Sequence, residues 1–464
     1  MVRPGIELEG KRVLVVGLAR TGVATALFCA ARGARVTATE ERGAAALGEA
    51  AQKLRDAGCT LEFGGHSNEI FLAQDLIVPS PGVPAALPGI VAARAARIPV
   101  WSEIELAWRF LHGRFVAITG SNGKTTTTSL VGHILSRAAL PVIVAGNIGT
   151  PLIARVDEST EATITVAEVS SFQLELIDSL RPDVAVLLNL TPDHIDRHGS
   201  FEAYARAKAR IFENQTDRDS AVLNADDPQA TQYAPARPHN YWFSRTKRVA
   251  SGAFAQDGQI VFRRDGEDVP LLSLSDIGLR GEHNVENVLA AAATTFLLNV
   301  EPASIAAGVR SFSGVEHRLE FVAEIAGVNF FNDSKATNVD AAAKAIEAFP
   351  GRLLVILGGK DKDGDFAPLA ELLRQRARQV FLIGAAAKKI EAQLGGAVPL
   401  SQAGTLDRAV ALAFELARPG DTVLLAPACA SFDQFENYEH RGRVFKELVG
   451  ALAPQASPAA VRRN

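Results

Sequence analysis

Short, continuous runs of apolar and β-branched residues recur at 13–16, 76–78, 116–119, 142–144, 164–166, 184–188, 353–357, 380–383 and 422–425, separated by Ala-rich helical stretches. A strand wetted on one face alternates apolar with polar residues, whereas a continuous run suits a strand buried on both faces. Such strands belong to parallel sheets wrapped by helices, so the pattern predicts an α/β fold built more than once. The 464 residues amount to about three typical domains. Strand–turn–helix patterns start afresh at 12–30, at 115–135 after a linker-like helix near 101–113, and again near Gly314. We therefore expect domains at 1–102, 103–313 and 314–464, with 455–464 as a frayed tail.

Composition narrows the class. Lys and Arg total 48 against 52 Asp and Glu, a net charge of −4, which does not suit coating nucleic acid or an anionic membrane. Cys29, Cys59 and Cys429 lie far apart without CxxC spacing, which speaks against disulfide and zinc frameworks and fits a reducing cytosol. The first residues carry charges in place of a signal peptide's apolar region. The longest uncharged stretches, 76–93 and 138–154, fall short of the roughly 20 residues of a spanning helix and are broken by prolines. The expectation is a cytoplasmic protein with neither membrane insertion nor nucleic-acid partner.

In the first segment, Gly17-Leu-Ala-Arg-Thr-Gly22 follows a strand and opens a helix, as a Rossmann-like phosphate loop does. Ala19 stands where a dinucleotide enzyme has the glycine that lets pyrophosphate approach, which weakens a nicotinamide-cofactor reading. Glu40 ends the next strand, where an acidic residue would meet a ribose. A helix N-terminus with free N–H groups still suits a nucleotide diphosphate. Ser80-Pro-Gly-Val83, with Ser80 and Gly82, closes another strand end on the same rim.

The second segment holds the strongest motif, Val116-Ala-Ile-Thr-Gly-Ser-Asn-Gly-Lys-Thr-Thr126. A strand runs into a loop, Gly120, Ser121, Asn122, Gly123, and then into a helix at Lys124, Thr125 and Thr126. Loop N–H groups and Lys124 would hold phosphates, and the Thr125 hydroxyl would bind Mg²⁺. Ile118 replaces the first glycine of the longer P-loop pattern, so this is a shorter variant. Glu168, just past a strand, is placed to share Mg²⁺ with phosphate oxygens. Asp193, His194 and Asp196 cluster after the next strand. On a helix read at 201–214, Phe201, Tyr204, Ala205, Ile211 and Phe212 form an apolar stripe with Lys208 in its middle. Burial pushes a lysine towards its neutral amine, the form that reacts with CO₂ to give a carbamate; a stem crossing apolar surface is the alternative.

Together with Asn147-Ile-Gly149, Glu168-Val-Ser-Ser-Phe-Gln-Leu-Glu175, His317-Arg-Leu-Glu320, Asn332-Asp-Ser-Lys-Ala-Thr-Asn338, Gly358-Gly-Lys-Asp-Lys362 and Pro427-Ala-Cys-Ala-Ser-Phe-Asp-Gln-Phe435, these motifs resemble the Mur ligase family of peptidoglycan synthesis over essentially the whole chain. The resemblance implies a Rossmann-like N-terminal domain for a UDP-sugar, a central P-loop ATPase-type domain with a mainly parallel sheet, and a Rossmann-like C-terminal domain for an amino acid. It implies an ATP-dependent amide ligase, a monomer, acting through an acyl phosphate. Two Mg²⁺ ions would use Thr125, Glu168, His194 and a CO₂-derived carbamate on Lys208.

By the same resemblance Arg20, Thr21 and Arg42 fall at the uridine-diphosphate site, and Asn147 and His194 at the muramoyl end. Asn284, Asn287, Arg318, Asp333 and Lys335 complete the nucleotide site. Thr337, Lys362 and Ser431, with Tyr438 nearby, would receive glutamate, since an acidic amino acid needs several donors. Another Mur-type or folylpolyglutamate ligase with a different amino acid is the alternative.

Overall fold

The computed structural model describes residues 3–43, 47–65, 68–361, 364–452 and 461–463. Three α/β domains each carry their own sheet. The N-terminal sheet is parallel, in the order Thr60–Phe63, Arg35–Glu40, Arg12–Val16, Leu76–Pro79. The central sheet runs Glu267–Ser273, Gln259–Arg264, Gly252–Gln256, His239–Ser244, Ser220–Asn224, Val184–Leu187, Arg114–Thr119, Ile164–Glu168, Val142–Gly146. It is parallel except for the antiparallel pairings at Gln259–Arg264. The C-terminal sheet orders Leu400–Gly404, Ala377–Ile383, Leu353–Gly358, Thr422–Leu425, Val328–Asn332, Glu320–Ile325 and Val461–Arg463, antiparallel only at its last two pairings.

The continuous apolar runs are buried on both faces, as read: Val13 to Val16, Val184 to Leu187 and Leu353 to Leu357 are all at most 1% exposed. Two details differ from the sequence reading. The α-helix at Phe201–Ala209 tightens into a 3₁₀ turn at Arg210–Phe212 instead of continuing to 214. The expected frayed tail contains a strand, Val461–Arg463, added to the sheet edge at Glu320–Ile325. Among the described residues no helix is long and apolar enough to cross a membrane.

By internal contacts the chain forms two units, one reaching Ile277 and including Glu286–Ser311, the other made of Gly278–Val285 and the residues from Phe312 onward. In the first unit, the helix Glu103–Phe110 is anchored to the segment 178–180 of the central domain through a buried carboxylate. Glu105 accepts the backbone N–H groups of Asp178, Ser179 and Leu180 and pairs with Arg109 at 2.7 Å. Both side chains are nearly inaccessible, 0% and 7% exposed. Replacing Glu105 with Ala leaves Arg109 and the buried Leu180 N–H without their acceptor, so Glu105→Ala should lower unfolding free energy by about 3–5 kcal/mol in urea denaturation.

Candidate active site

In open α/β sheets, ligands gather at the carboxyl ends of the strands, where the chain's winding reverses. In the central sheet that point is Arg114–Thr119, flanked by Ile164–Glu168 and Val184–Leu187. The loops after all three strands meet there. Gly123 takes a left-handed conformation (φ 83°) at the N-terminus of the helix Lys124–Arg137, and a Cβ on it would lie 2.2 Å from Asn287 Oδ1. That close approach requires glycine and places Asn287 against the loop, where it also accepts the Thr127 hydroxyl at 3.2 Å. Lys124 Nζ donates to the Gly120 and Ser121 carbonyls. Asn189 braces the loop, accepting the Asn122 N–H at 2.8 Å and donating back to its carbonyl.

The structure brings four sequence-chosen residues together. The Thr125 hydroxyl donates to Glu168 Oε2 at 2.7 Å, and Asn147 Nδ2 donates to Glu168 Oε1 at 3.0 Å. Lys208 is 2% exposed, its Nζ 3.4 Å from the Thr119 hydroxyl. Burial, reinforced by Lys124, holds the Lys208 amine well below the usual lysine range against the opposing pull of Asp193 and Glu168. His194 begins the short helix Ile195–His198 in a left-handed conformation (φ 53°), its ring edge-on to Phe172 at 5.0 Å. Among the described residues no three His, Cys, Asp or Glu side chains form a metal-ligand group. The oxygen donors are a hydroxyl and a buried carboxylate, and the Thr126 hydroxyl is buried without a hydrogen-bond partner. That set fits Mg²⁺, a hard cation that takes few protein oxygens alongside phosphate.

In the N-terminal sheet, the Gly17–Gly22 loop and Ser80 share a rim: the Ser80 hydroxyl donates to the Gly17 carbonyl at 2.6 Å. A Cβ on Gly22 would sit 1.9 Å from that same carbonyl oxygen, so the turn admits only glycine. Glu40 accepts the Leu18 N–H, and the Arg42 guanidinium beside it holds its carboxyl down at about 2. Thr21 accepts the Thr25 hydroxyl through its carbonyl. Arg20 reaches the Gly149 carbonyl at 2.7 Å, and Arg197 reaches those of Gly82 and Val83, joining this rim to the central site.

In the second unit Asn284 donates to the Arg280 carbonyl. Asp333 is buried, with Oδ1 unpartnered, and burial pushes its carboxyl up to about 7 against the nearby Arg318, Lys335 and Arg441. Lys335 lies 5.1 Å from the Tyr438 ring. Thr337 is half-buried and Ser431 buried, on loops following Val328–Asn332 and Thr422–Leu425. Lys362 lies outside the described residues. Sequence reasoning missed Arg441, wholly buried and donating to the Ser334 hydroxyl and to the Ser334 and Cys429 carbonyls. It also missed Asn189, Thr119 and Phe172, whose roles exist only where separate strand ends meet.

Three family models match the chain in series: the Mur ligase MurD-like N-terminal domain at residues 11–102, the Mur ligase middle domain at 118–295, and the Mur ligase glutamate ligase domain at 317–429. A UDP-N-acetylmuramoylalanine--D-glutamate ligase of Acidobacterium capsulatum is 56% identical over 461 residues, covering 98% of this chain and 100% of its own. This chain belongs to the Mur ligase family. A relative of the same name from Koribacter versatilis is 51% identical over 97% of this chain and 99% of its own. Among solved structures, a UDP-N-acetylmuramate-alanine ligase of Thermotoga maritima shares the fold at TM-score 0.59 and 20% identity, covering 95% of this chain and 99% of its own. A pseudomurein peptide ligase of Methanothermus fervidus does so at 0.60 and 21%, over 96% and 100%. Membership of the Mur ligases implies that the P-loop serves ATP.

Glu103 is a further buried carboxyl of the first unit. It accepts the Ile153 N–H at 2.7 Å and faces Gln173, whose side chain completes the cap on Ser170 just past Glu168. Burial pushes the Glu103 carboxyl up to about 7. The folded state therefore binds a proton more tightly than the unfolded chain, and stability through this group falls as pH rises between about 4.5 and 7. Glu103→Gln cannot ionise, so its stability relative to the parent should improve by on the order of 2–3 kcal/mol between about pH 5 and about pH 8. Denaturation at both pH values measures this; a pH-independent difference would contradict it.

Proposed function

We propose that this Mur ligase adds D-glutamate to the L-alanyl carboxylate of UDP-N-acetylmuramoyl-L-alanine, the activity that names its relatives, in peptidoglycan precursor synthesis. The observation that carries the reading is 56% identity over the full length of the A. capsulatum ligase. The convergence of Lys124, Thr125, Glu168 and Lys208 at one set of strand ends supports it.

A carboxylate does not condense with an amine in water, because its oxygen is a poor leaving group. Transfer of the ATP γ-phosphoryl group to the alanyl carboxylate gives an acyl phosphate; the glutamate amine attacks its carbonyl carbon and phosphate departs. The first step brings anions together. Lys124 and the N–H groups of residues 120–126 supply charge and dipoles aimed at the phosphates. Thr125, Glu168 and His194 would hold two Mg²⁺ ions, whose contribution is positive charge against phosphate oxygens. Burial and Lys124 favour the neutral Lys208 amine, the form that would take up CO₂ and lose a proton to become a carbamate with oxygen donors.

Arg20, Thr21, Arg42, Ser80 and Gly82 would bind the UDP-sugar, with Asn147 and His194 at its muramoyl-alanine end. Asn284, Asn287, Arg318, Asp333 and Lys335 would complete the ATP site. Thr337, Lys362, Ser431 and Tyr438 would receive glutamate.

Phosphate release from ATP with Mg²⁺ and bicarbonate should require both UDP-N-acetylmuramoyl-L-alanine and D-glutamate, and Lys124→Ala should slow it by on the order of 10³-fold. Release with L-alanine, L-lysine or meso-diaminopimelate in place of D-glutamate would reassign the glutamate-binding residues.

A further inference from the structure

His198 ends the short helix that His194 begins, and its side chain is 1% exposed. Nδ1 lies 3.1 Å from Glu175 Oε1 and Nε2 lies 3.0 Å from the Ser171 hydroxyl. A carboxylate opposite Nδ1 fixes the proton there, so Nε2 accepts from Ser171. Burial lowers the imidazole to about 4, which keeps the ring neutral.

Serine, histidine and carboxylate in this order form a nucleophile's relay in hydrolases. Here Ser171 is 3% exposed and spends its hydroxyl inward, so no acyl group reaches it. What the relay holds is a ring. His198 stacks on Phe172 with centroids 5.3 Å apart and planes 15° apart. The same phenylalanine meets the edge of His194 at 5.0 Å and the Arg197 guanidinium at 4.7 Å. His198 also abuts Tyr204, whose hydroxyl bonds Ser121 of the P-loop at 2.9 Å and whose helix carries Lys208 one turn on. One imidazole thus links the segments bearing Glu168, His194 and Lys208.

We propose that His198, locked by Glu175 and Ser171, is a positioning residue that sets the ring of His194 through Phe172. The functional consequence rests on the reading above that His194 serves Mg²⁺ and the muramoyl substrate. Orienting groups behind a metal ligand typically carry 10–100-fold in metal affinity or activity.

The test uses Ser171→Ala, Glu175→Ala and Glu175→Gln in the full chain. The two alanine variants should raise the Mg²⁺ concentration for half-maximal rate and lower kcat by about 10–100-fold, with KM for ATP unchanged. Glu175→Gln keeps an acceptor opposite Nδ1 and should restore most of the loss. Long-range ¹H–¹⁵N spectra of the imidazoles give a readout that needs no turnover. The parent should show an Nδ1–H tautomer at His198, and Glu175→Ala should shift the resonances of His194 as well. Unmoved His194 resonances would overturn the proposal, as would a Mg²⁺ dependence in both alanine variants matching the parent. A parent that makes no product but shows the His194 shift would refute the functional reading and leave the positioning role standing.

Discussion

The amine of Lys208 sits out of water between another lysine and two carboxylates, and the central domain is arranged around that placement. An ammonium so deeply buried without a close partner is strongly penalised. Burial and the neighbouring Lys124 both favour the neutral form of the amine, in a spot where Thr119, Glu168 and Asp193 face it. Tolerating that arrangement requires the ends of three neighbouring strands to be held in fixed relation, because a shift of an ångström would either hydrate the amine or leave it beside unbalanced charge. The P-loop, the Glu168 segment and the Asn189–Asp196 loop are accordingly cross-braced by Asn189, Tyr204 and the Phe172–His198 stack.

Buried carboxylates serve two different ends in the same unit. Glu105 and Glu103 accept backbone N–H groups from distant segments and fix where those segments lie. Glu168 accepts a hydroxyl and an amide, donors that a cation can displace without exposing backbone. In the C-terminal unit a cation plays the structural part. Arg441 binds the segment at Ser334 to that at Cys429, while the adjacent Asp333 keeps an oxygen unpartnered.

Local motifs were legible because their chemistry is written in consecutive residues. A strand, a glycine-bearing turn and Lys124-Thr125 in consecutive sequence point to a phosphate loop. Continuous apolar runs specify doubly buried strands; Lys208 in an apolar stripe left burial and a stem crossing apolar surface both open, and the structure places it at 2% exposure. Asn189, Glu105, Arg441 and His198 gave no such signal. Each acts on partners from another part of the chain, as Glu105 does on Leu180 and Arg441 on Ser334, and an isolated polar residue reads the same whether it braces a site or faces solvent.

The sequence by itself therefore determined the α/β class and the strand–turn–helix of the loop at 116–126, because helix and strand periodicity and turn chemistry are local properties. Only the tertiary structure decided which strand ends adjoin, that Glu168 would receive Thr125 and Asn147, and that His198 would stand behind Phe172 and His194. Strand order is set by packing helices onto both faces of a sheet, a problem solved by the chain as a whole, and the site exists only at the point where that order reverses.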